Sequence, residues 1–104
     1  MLKEQQKNHK VKYTKCFWEE LDDISEYMLD NLYLSTSLKF VDKVFDTIDY
    51  LTLFPKMYAV YYDNNKYRKF IVGNYIIFYN VDDQDDLVSI IHIYFSRKIS
   101  FNLS

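Results

Sequence analysis

The chain has 104 residues, enough for one domain with its own core; 49% of them are apolar, 19% are aromatic and 11 are tyrosine. Its 13 basic and 15 acidic side chains leave a net charge of -2, which excludes a polycation that clings to nucleic acid unaided. The single Cys16 excludes an internal disulfide and fits a reduced compartment, and no apolar run approaches the length of a bilayer span.

The charge is unevenly placed. Five lysines against Glu4 give the first fifteen residues +4 and leave -6 for the remainder. Residues 1–9 are polar and aperiodic, which predicts a flexible basic extension ahead of a single domain over residues 10–104. The opening MLKEQQKNHK lacks the apolar stretch of a secretion signal, so a cytoplasmic location is expected. From Lys10 to Lys15, KVKYTK alternates Val11 and Tyr13 with lysines, the pattern of a short half-exposed strand at a sheet edge.

Phe17, Leu21, Ile24 and Met28 then recur at spacings of four, three and four, which predicts a helix over Cys16–Leu32. Its other side carries Glu19, Glu20, Asp22, Asp23, Glu26 and Asp30 and reads as a solvated face. Ser35 or Thr36 is the expected N-cap of a second helix, which presents Leu38, Val41, Phe45 and Ile48 and stops at Phe54-Pro55. So short a connection predicts an antiparallel hairpin.

Tyr58–Tyr62 (YAVYY) reads as a strand, folded by Asp63-Asn64-Asn65 onto Tyr67–Val72. Two further strands follow, parted from it and from each other by Gly73-Asn74 and by the acidic Asp82–Asp86. The expected fold is α+β in the order β-α-α-β-β-β-β, with the N-terminal helical hairpin packed on one face of a mainly antiparallel twisted sheet. The middle strand is apolar on both sides, Tyr75, Ile77, Tyr79 and Val81 on one and Ile76 and Phe78 on the other. Its second face is therefore expected to be open for a partner or ligand.

The chemistry is sparse. His9 and His92 stand a domain apart and Gly73 is the only glycine, so neither a metal site nor a glycine-rich phosphate loop is expected, and no cofactor is called for. His92 has an intrinsic pKa suited to acid–base work, but a single histidine among Ile90, Ile91 and Ile93 is more often a packed or hydrogen-bonded structural residue. Lys66, Arg68, Lys69, Arg97 and Lys98 are expected to converge as the one basic cluster of an acidic domain. Such a cluster fits RNA phosphates, acidic residues of a protein target, a partner's acidic segment, or a rim paired with Asp82–Asp86. The tyrosines, spread over every element, read mostly as packing residues.

Several pieces taken together resemble the RelE/ParE superfamily of bacterial type II toxins over residues 10–98. They are Leu51-x-x-Phe54-Pro55, Arg68-Lys69, Asn74-Tyr75-Ile76-Ile77-Phe78-Tyr79, the Val81-Asp82 turn entry, and Ile91-His92-Ile93-Tyr94-Phe95-Ser96-Arg97-Lys98. The resemblance implies a growth-inhibiting toxin of the plasmid-stabilisation kind, held inactive in the cytoplasm by a cognate antitoxin and not itself a sequence-specific DNA binder. ParE-like members inhibit DNA gyrase, whereas RelE-like members cleave messenger RNA on the ribosome without a metal.

RelE-like members resemble one another in placing an arginine in the YxxFY strand and another in the last strand. Here those positions hold Ile76 and His92, which tilts the expectation towards ParE-like inhibition. The endoribonuclease alternative would use Lys69, His92 and Arg97 as catalytic residues; a toxin-derived binding module without chemistry is the third reading. The target-binding surface is expected at Lys66, Tyr67, Arg68, Lys69, Tyr94, Arg97 and Lys98.

Overall fold

Thr14 decides where the first strand stops and the first helix starts. The structure, a computed structural model, describes residues 8–98, with β1 at Lys10–Tyr13 and α1 at Lys15–Asn31. Thr14 stands between them as the N-cap: its Oγ1 accepts from the Phe17 N–H at 3.0 Å and donates to the Ile91 carbonyl at 2.6 Å. One hydroxyl thus opens the helix and pins its start to the last strand, which is why β1 ends short of Lys15.

The helical hairpin forms as expected, but its second helix starts early and buries Phe40, Val44, Ile48 and Leu51, leaving Val41 and Phe45 partly buried and Leu38 exposed. α2 runs from Leu34 to Leu53, and Tyr33, not Ser35 or Thr36, holds the N-cap position. The Tyr33 carbonyl takes the N–H groups of Thr36 and Ser37 at 3.0 and 3.2 Å. Because Leu32 and Tyr33 alone make the reversal, both candidate caps fall inside the first turn. Phe54 leaves the helix at φ -130° and ψ 69°, as a residue before proline must.

The sheet holds β2 (Arg68–Val72), β3 (Tyr75–Asp82) and β4 (Leu87–Phe95), and a 3-10 turn at Ser96–Lys98 follows. Its order is β1-β4-β3-β2; β2, β3 and β4 form an antiparallel meander, and β1 joins β4 in parallel. Gly73, at φ 58°, supplies the left-handed first position of the two-residue turn into β3. In the next turn the Asp82 carboxylate accepts from the N–H groups of Gln84 and Asp85 at 3.0 and 3.3 Å. Phe17, Leu21, Val44, Ile48 and Leu51 of the hairpin bury against Phe70, Ile77, Tyr79, Val88, Ile90 and Ile93 of the sheet. That layer is the main core.

The fifth strand expected over Tyr58–Tyr62 is not formed. The segment makes one antiparallel bridge, Val60 to Arg68, and the described order is β-α-α-β-β-β. The segment's main chain is engaged elsewhere: the Arg68 guanidinium holds the Tyr58 carbonyl at 2.6 Å, and the Tyr61 carbonyl accepts from the Asn64 N–H at 3.2 Å in a turn. Tyr58 packs with Phe70 on the helix side, while Tyr61 packs with Ile76 and Phe78 on the opposite side, as residues three apart along an extended chain do.

The second face is accordingly not open in its middle. Ile76, Phe78 and Tyr61 are buried there, with Tyr67 and Tyr94 packed around them. Of the expected N-terminal extension, residues 1–7 lie outside the described residues; the His9 N–H donates to the Thr52 carbonyl at 2.7 Å and ties that end to α2. Among the described residues no helix is long and apolar enough to cross a membrane.

Candidate functional site

Side chains alternate along a strand, so register determines which residues share a face. On the side away from the helices, Lys69, Phe78 and His92 form one row across β2, β3 and β4, and Ile71, Ile76 and Tyr94 form the next. Lys69 and His92 therefore share a face, yet they stand two strand spacings apart, roughly 10 Å. Phe78 fills the space between them. It is fully buried, with Tyr61 edge-on at 5.1 Å, Tyr94 at 6.1 Å and Tyr67 at 6.4 Å between ring centroids.

Lys69 and His92 each have their own partner. The Lys69 ammonium lies 5.5 Å from the centroid of the Tyr61 ring, a cation–π distance. His92 Nδ1 lies 3.1 and 3.2 Å from the two carboxylate oxygens of Glu20, and the Ile93 N–H donates to the same carboxylate at 3.0 Å. The imidazole stacks on Tyr94 with centroids 4.9 Å apart and planes 18° from parallel. Burial, and after it the charge of Glu20, pushes the Tyr94 phenol above its ordinary value. On Tyr61 burial again leads, followed by the charge and hydrogen bond of Asp63, whose carboxylate accepts from the phenol at 3.2 Å. Both phenols therefore stay protonated donors at neutral pH.

The basic residues do not converge. Lys66 is exposed in the turn ahead of β2, and the Arg68 guanidinium donates to the Tyr58 carbonyl at 2.6 Å. Arg68 also pairs in register with Tyr79, on the opposite side of the sheet from Lys69. Arg97 is exposed in the 3-10 turn beyond Phe95, and the backbone of Lys98 belongs to that turn. Tyr75, at the Gly73 end of the hairpin, pairs with Phe95, whereas Arg68 pairs with Tyr79 four residues further along β3. Lys66 and Arg68 thus lie at one end of the sheet and Arg97 and Lys98 at the other, at least about 13 Å apart along the strands. Antiparallel pairing joins the layer but sends its ends apart.

Glu20 is the residue that sequence reasoning passed over by placing it on the solvated helix face. A signal existed: it stands three residues after Phe17 and four before Ile24, at the margin of the apolar stripe. Its side chain is 26% exposed, and that of His92 is 18% exposed. Among the described residues no three His, Cys, Asp or Glu side chains are grouped to hold a metal ion.

With this geometry in view, comparison with known proteins gives the following. The family model described as the ParE toxin of the type II toxin-antitoxin system parDE matches residues 11–99. The solved chromosomal ParDE toxin-antitoxin system from P. aeruginosa is similar with a TM-score of 0.68 at 15% identity, over 82% of this chain and 92% of that chain. The RelBE2 toxin-antitoxin complex from Mycobacterium tuberculosis is similar with a TM-score of 0.58 at 14% identity, over 86% and 92%. At such identities the structural likeness is one of fold. No curated protein sequence matches the chain.

Proposed function

The chain belongs to the ParE toxin family of type II toxin–antitoxin systems, and from that premise we propose that it arrests growth by binding DNA gyrase, not by cutting RNA. The observation that carries this reading is the row Lys69–Phe78–His92. Cleaving RNA through its 2′-hydroxyl needs a base, a cation and an acid within reach of one phosphodiester. Here a buried phenylalanine separates the lysine from the histidine, and Arg97 belongs to the turn after β4. Ile76, in the strand where RelE-like members are expected to carry arginine, is buried and apolar.

Two stations on the sheet supply contacts to the target: Lys66, Tyr67 and Lys69 at one end of the aromatic floor, and Tyr94, Arg97 and Lys98 at the other. Arg68 holds Tyr58 and supports the first station. A cognate antitoxin neutralises the toxin in the cytoplasm; both structural neighbours are toxin–antitoxin assemblies, which supports a partner of that kind.

The test is induced expression in a bacterial host, with messenger RNA integrity and DNA supercoiling followed together. Growth arrest with intact transcripts and altered supercoiling is expected, and His92→Ala should retain most of the toxicity. Transcript cleavage that disappears in His92→Ala or Lys69→Ala would overturn the reading in favour of an endoribonuclease. One observation favours that second reading: the Glu20 contact holds Nδ1 and leaves Nε2 as the ring nitrogen available for proton exchange. Absence of arrest would leave the binding module.

A further inference from the structure

β4 outruns the strand beside it. β1 pairs with it from Leu87 to Ile90 only, so from Ile91 to Phe95 no strand among the described residues flanks its outer edge. Side chains take the first two groups of that edge, Thr14 the Ile91 carbonyl and Glu20 the Ile93 N–H. Alternate residues of a strand direct their N–H and C=O groups to the same edge, so the Ile93 carbonyl and the Phe95 N–H face outward as well. Ser96 obeys the same alternation, its N–H turning inward to the Asn74 carbonyl at 2.8 Å.

Ile93 and Phe95 also line a groove of about 550 Å³ beside α1, together with Ile24, Tyr27 and Tyr75. Its charged lining groups, Glu20 and Asp23, are both acidic. The chain itself passes this place. The 3-10 turn at Ser96–Lys98 follows Phe95 directly, and residues 99–104, which lie outside the described residues, read Ile-Ser-Phe-Asn-Leu-Ser. Ile99, Phe101 and Leu103 alternate with Ser100, Asn102 and Ser104, the period of a strand with one apolar and one polar side. None of these side chains is charged, so the segment sets no like charge against Glu20 and Asp23.

We propose that residues 99–104 fold back as a further strand of the same chain, a strap on the outer edge of β4. The three residues of the turn are a loop length that joins antiparallel strands. They set the register, with Ile99 opposite Phe95 and Phe101 opposite Ile93. Opposed residues of an antiparallel pair share a face, and Ile93 and Phe95 both face the helices, Ile93 in the core and Phe95 against Tyr75 at 5.5 Å between ring centroids. Ile99 and Phe101 therefore enter the groove, while Ser100 and Asn102 turn to the other side. The Phe95 N–H donates to the Ile99 carbonyl and the Phe101 N–H to the Ile93 carbonyl. Glu20 already holds the Ile93 N–H, which ends the ladder there. The strap covers an apolar groove and closes an edge that is otherwise a template for pairing with another chain, and it does so whatever the toxin's target is.

The test is amide hydrogen exchange on the full chain over a range of protein concentrations, beside a chain that ends at Lys98. The Phe95 amide should exchange at least about ten-fold more slowly in the full chain than in the shortened one. Phe101→Asp, which sets a carboxylate beside Glu20 and Asp23, should bring the Phe95 amide to the shortened chain's rate, and Phe101→Leu should keep it protected. Asn102→Asp adds the same charge on the other side of the strap and should leave the Phe95 amide within about two-fold of wild type. The amides of Ile77 and Phe78 in the central strand should be unchanged throughout, which shows that the fold is intact. Equal Phe95 rates in the full and shortened chains would overturn the proposal. So would protection that survives Phe101→Asp, that is lost equally in Asn102→Asp, or that grows with protein concentration, the last assigning the edge to a second copy.

Discussion

Replacing Glu20 tests whether the carboxylate between α1 and β4 is a structural clamp or a solvated surface charge. In the folded chain it accepts from the Ile93 N–H at 3.0 Å and faces His92 Nδ1 at 3.1 and 3.2 Å. Hydrogen bonds to a charged group contribute about 1.5–3 kcal/mol where they are shielded. At a partly hydrated sheet edge we expect the lower end of that range for the pair together, so Glu20→Ala should cost about 2 kcal/mol. Glu20→Gln keeps a carbonyl oxygen for Ile93 and loses the charge facing His92, which should cost about 1 kcal/mol.

In a domain of this size about 2 kcal/mol lowers Tm by roughly 10 °C. Urea unfolding should show a lower midpoint with an unchanged slope, because the same surface is exposed. A double-mutant cycle with His92→Ala separates the two bonds: coupling of about 1 kcal/mol belongs to the imidazole, and what remains belongs to Ile93. A Glu20→Ala protein within about 0.5 kcal/mol of wild type would be behaving as an ordinary surface variant, and the clamp would be refuted.

Phe78 separates Lys69 from His92 and is fully buried; Phe78→Ala should cost about 3–5 kcal/mol, a large part of the roughly 5–15 kcal/mol of a typical domain, and a loss near 1 kcal/mol by urea unfolding would mean that the aromatic floor is loosely packed. Tyr79 is fully buried, its hydroxyl donates to the Pro55 carbonyl at 2.8 Å, and burial pushes its phenol up to about 12. With the folded value raised, the folded chain still holds this proton where the unfolded chain has lost it; the contribution is complete below pH 10 and disappears as pH rises towards about 12. Tyr79→Phe should therefore be about 1 kcal/mol less stable at neutral pH, with the deficit shrinking between pH 10 and about 12; parallel stability curves across that window would contradict the assignment.

Periodicity made the hairpin and the meander legible. The four-three-four spacing from Phe17 to Met28 specifies a helix face on its own, and the alternation from Tyr75 to Val81 specifies a two-faced strand. Tyr58–Tyr62 has the same local character as a strand, and local character was not decisive there. There the Tyr58 carbonyl is taken by the Arg68 side chain ten residues along and the Tyr61 carbonyl by a turn to Asn64, contacts that propensity does not register. The same limit applies to charge. Grouping Lys66 and Arg68 with Arg97 and Lys98 follows from adjacency of strands, but strand register, set by the Gly73 turn and by the pairing of Tyr75 with Phe95, sends them to opposite ends. Glu20 and His92 are 72 residues apart in sequence, so their contact becomes visible only once β1 has placed α1 beside β4.

That contact also depends on an irregularity. Strict alternation along β4 would put Val88, Ile90 and His92 on one face and so direct the histidine into the hairpin core. The register instead slips between Phe78 and Tyr79: Tyr79 pairs with Ile90, Phe78 pairs with His92, and Ile91 is the extra residue. The slip turns Ile93 inward, where it is 1% exposed, and turns His92 outward onto Tyr94. The carbonyl of the bulged residue is the one that Thr14 holds, and Glu20 takes the N–H two residues later. A threonine that caps α1 and a glutamate one turn and a half along it together fix the bulge, so the rigid start of the helix, not the sheet, sets which way the histidine faces.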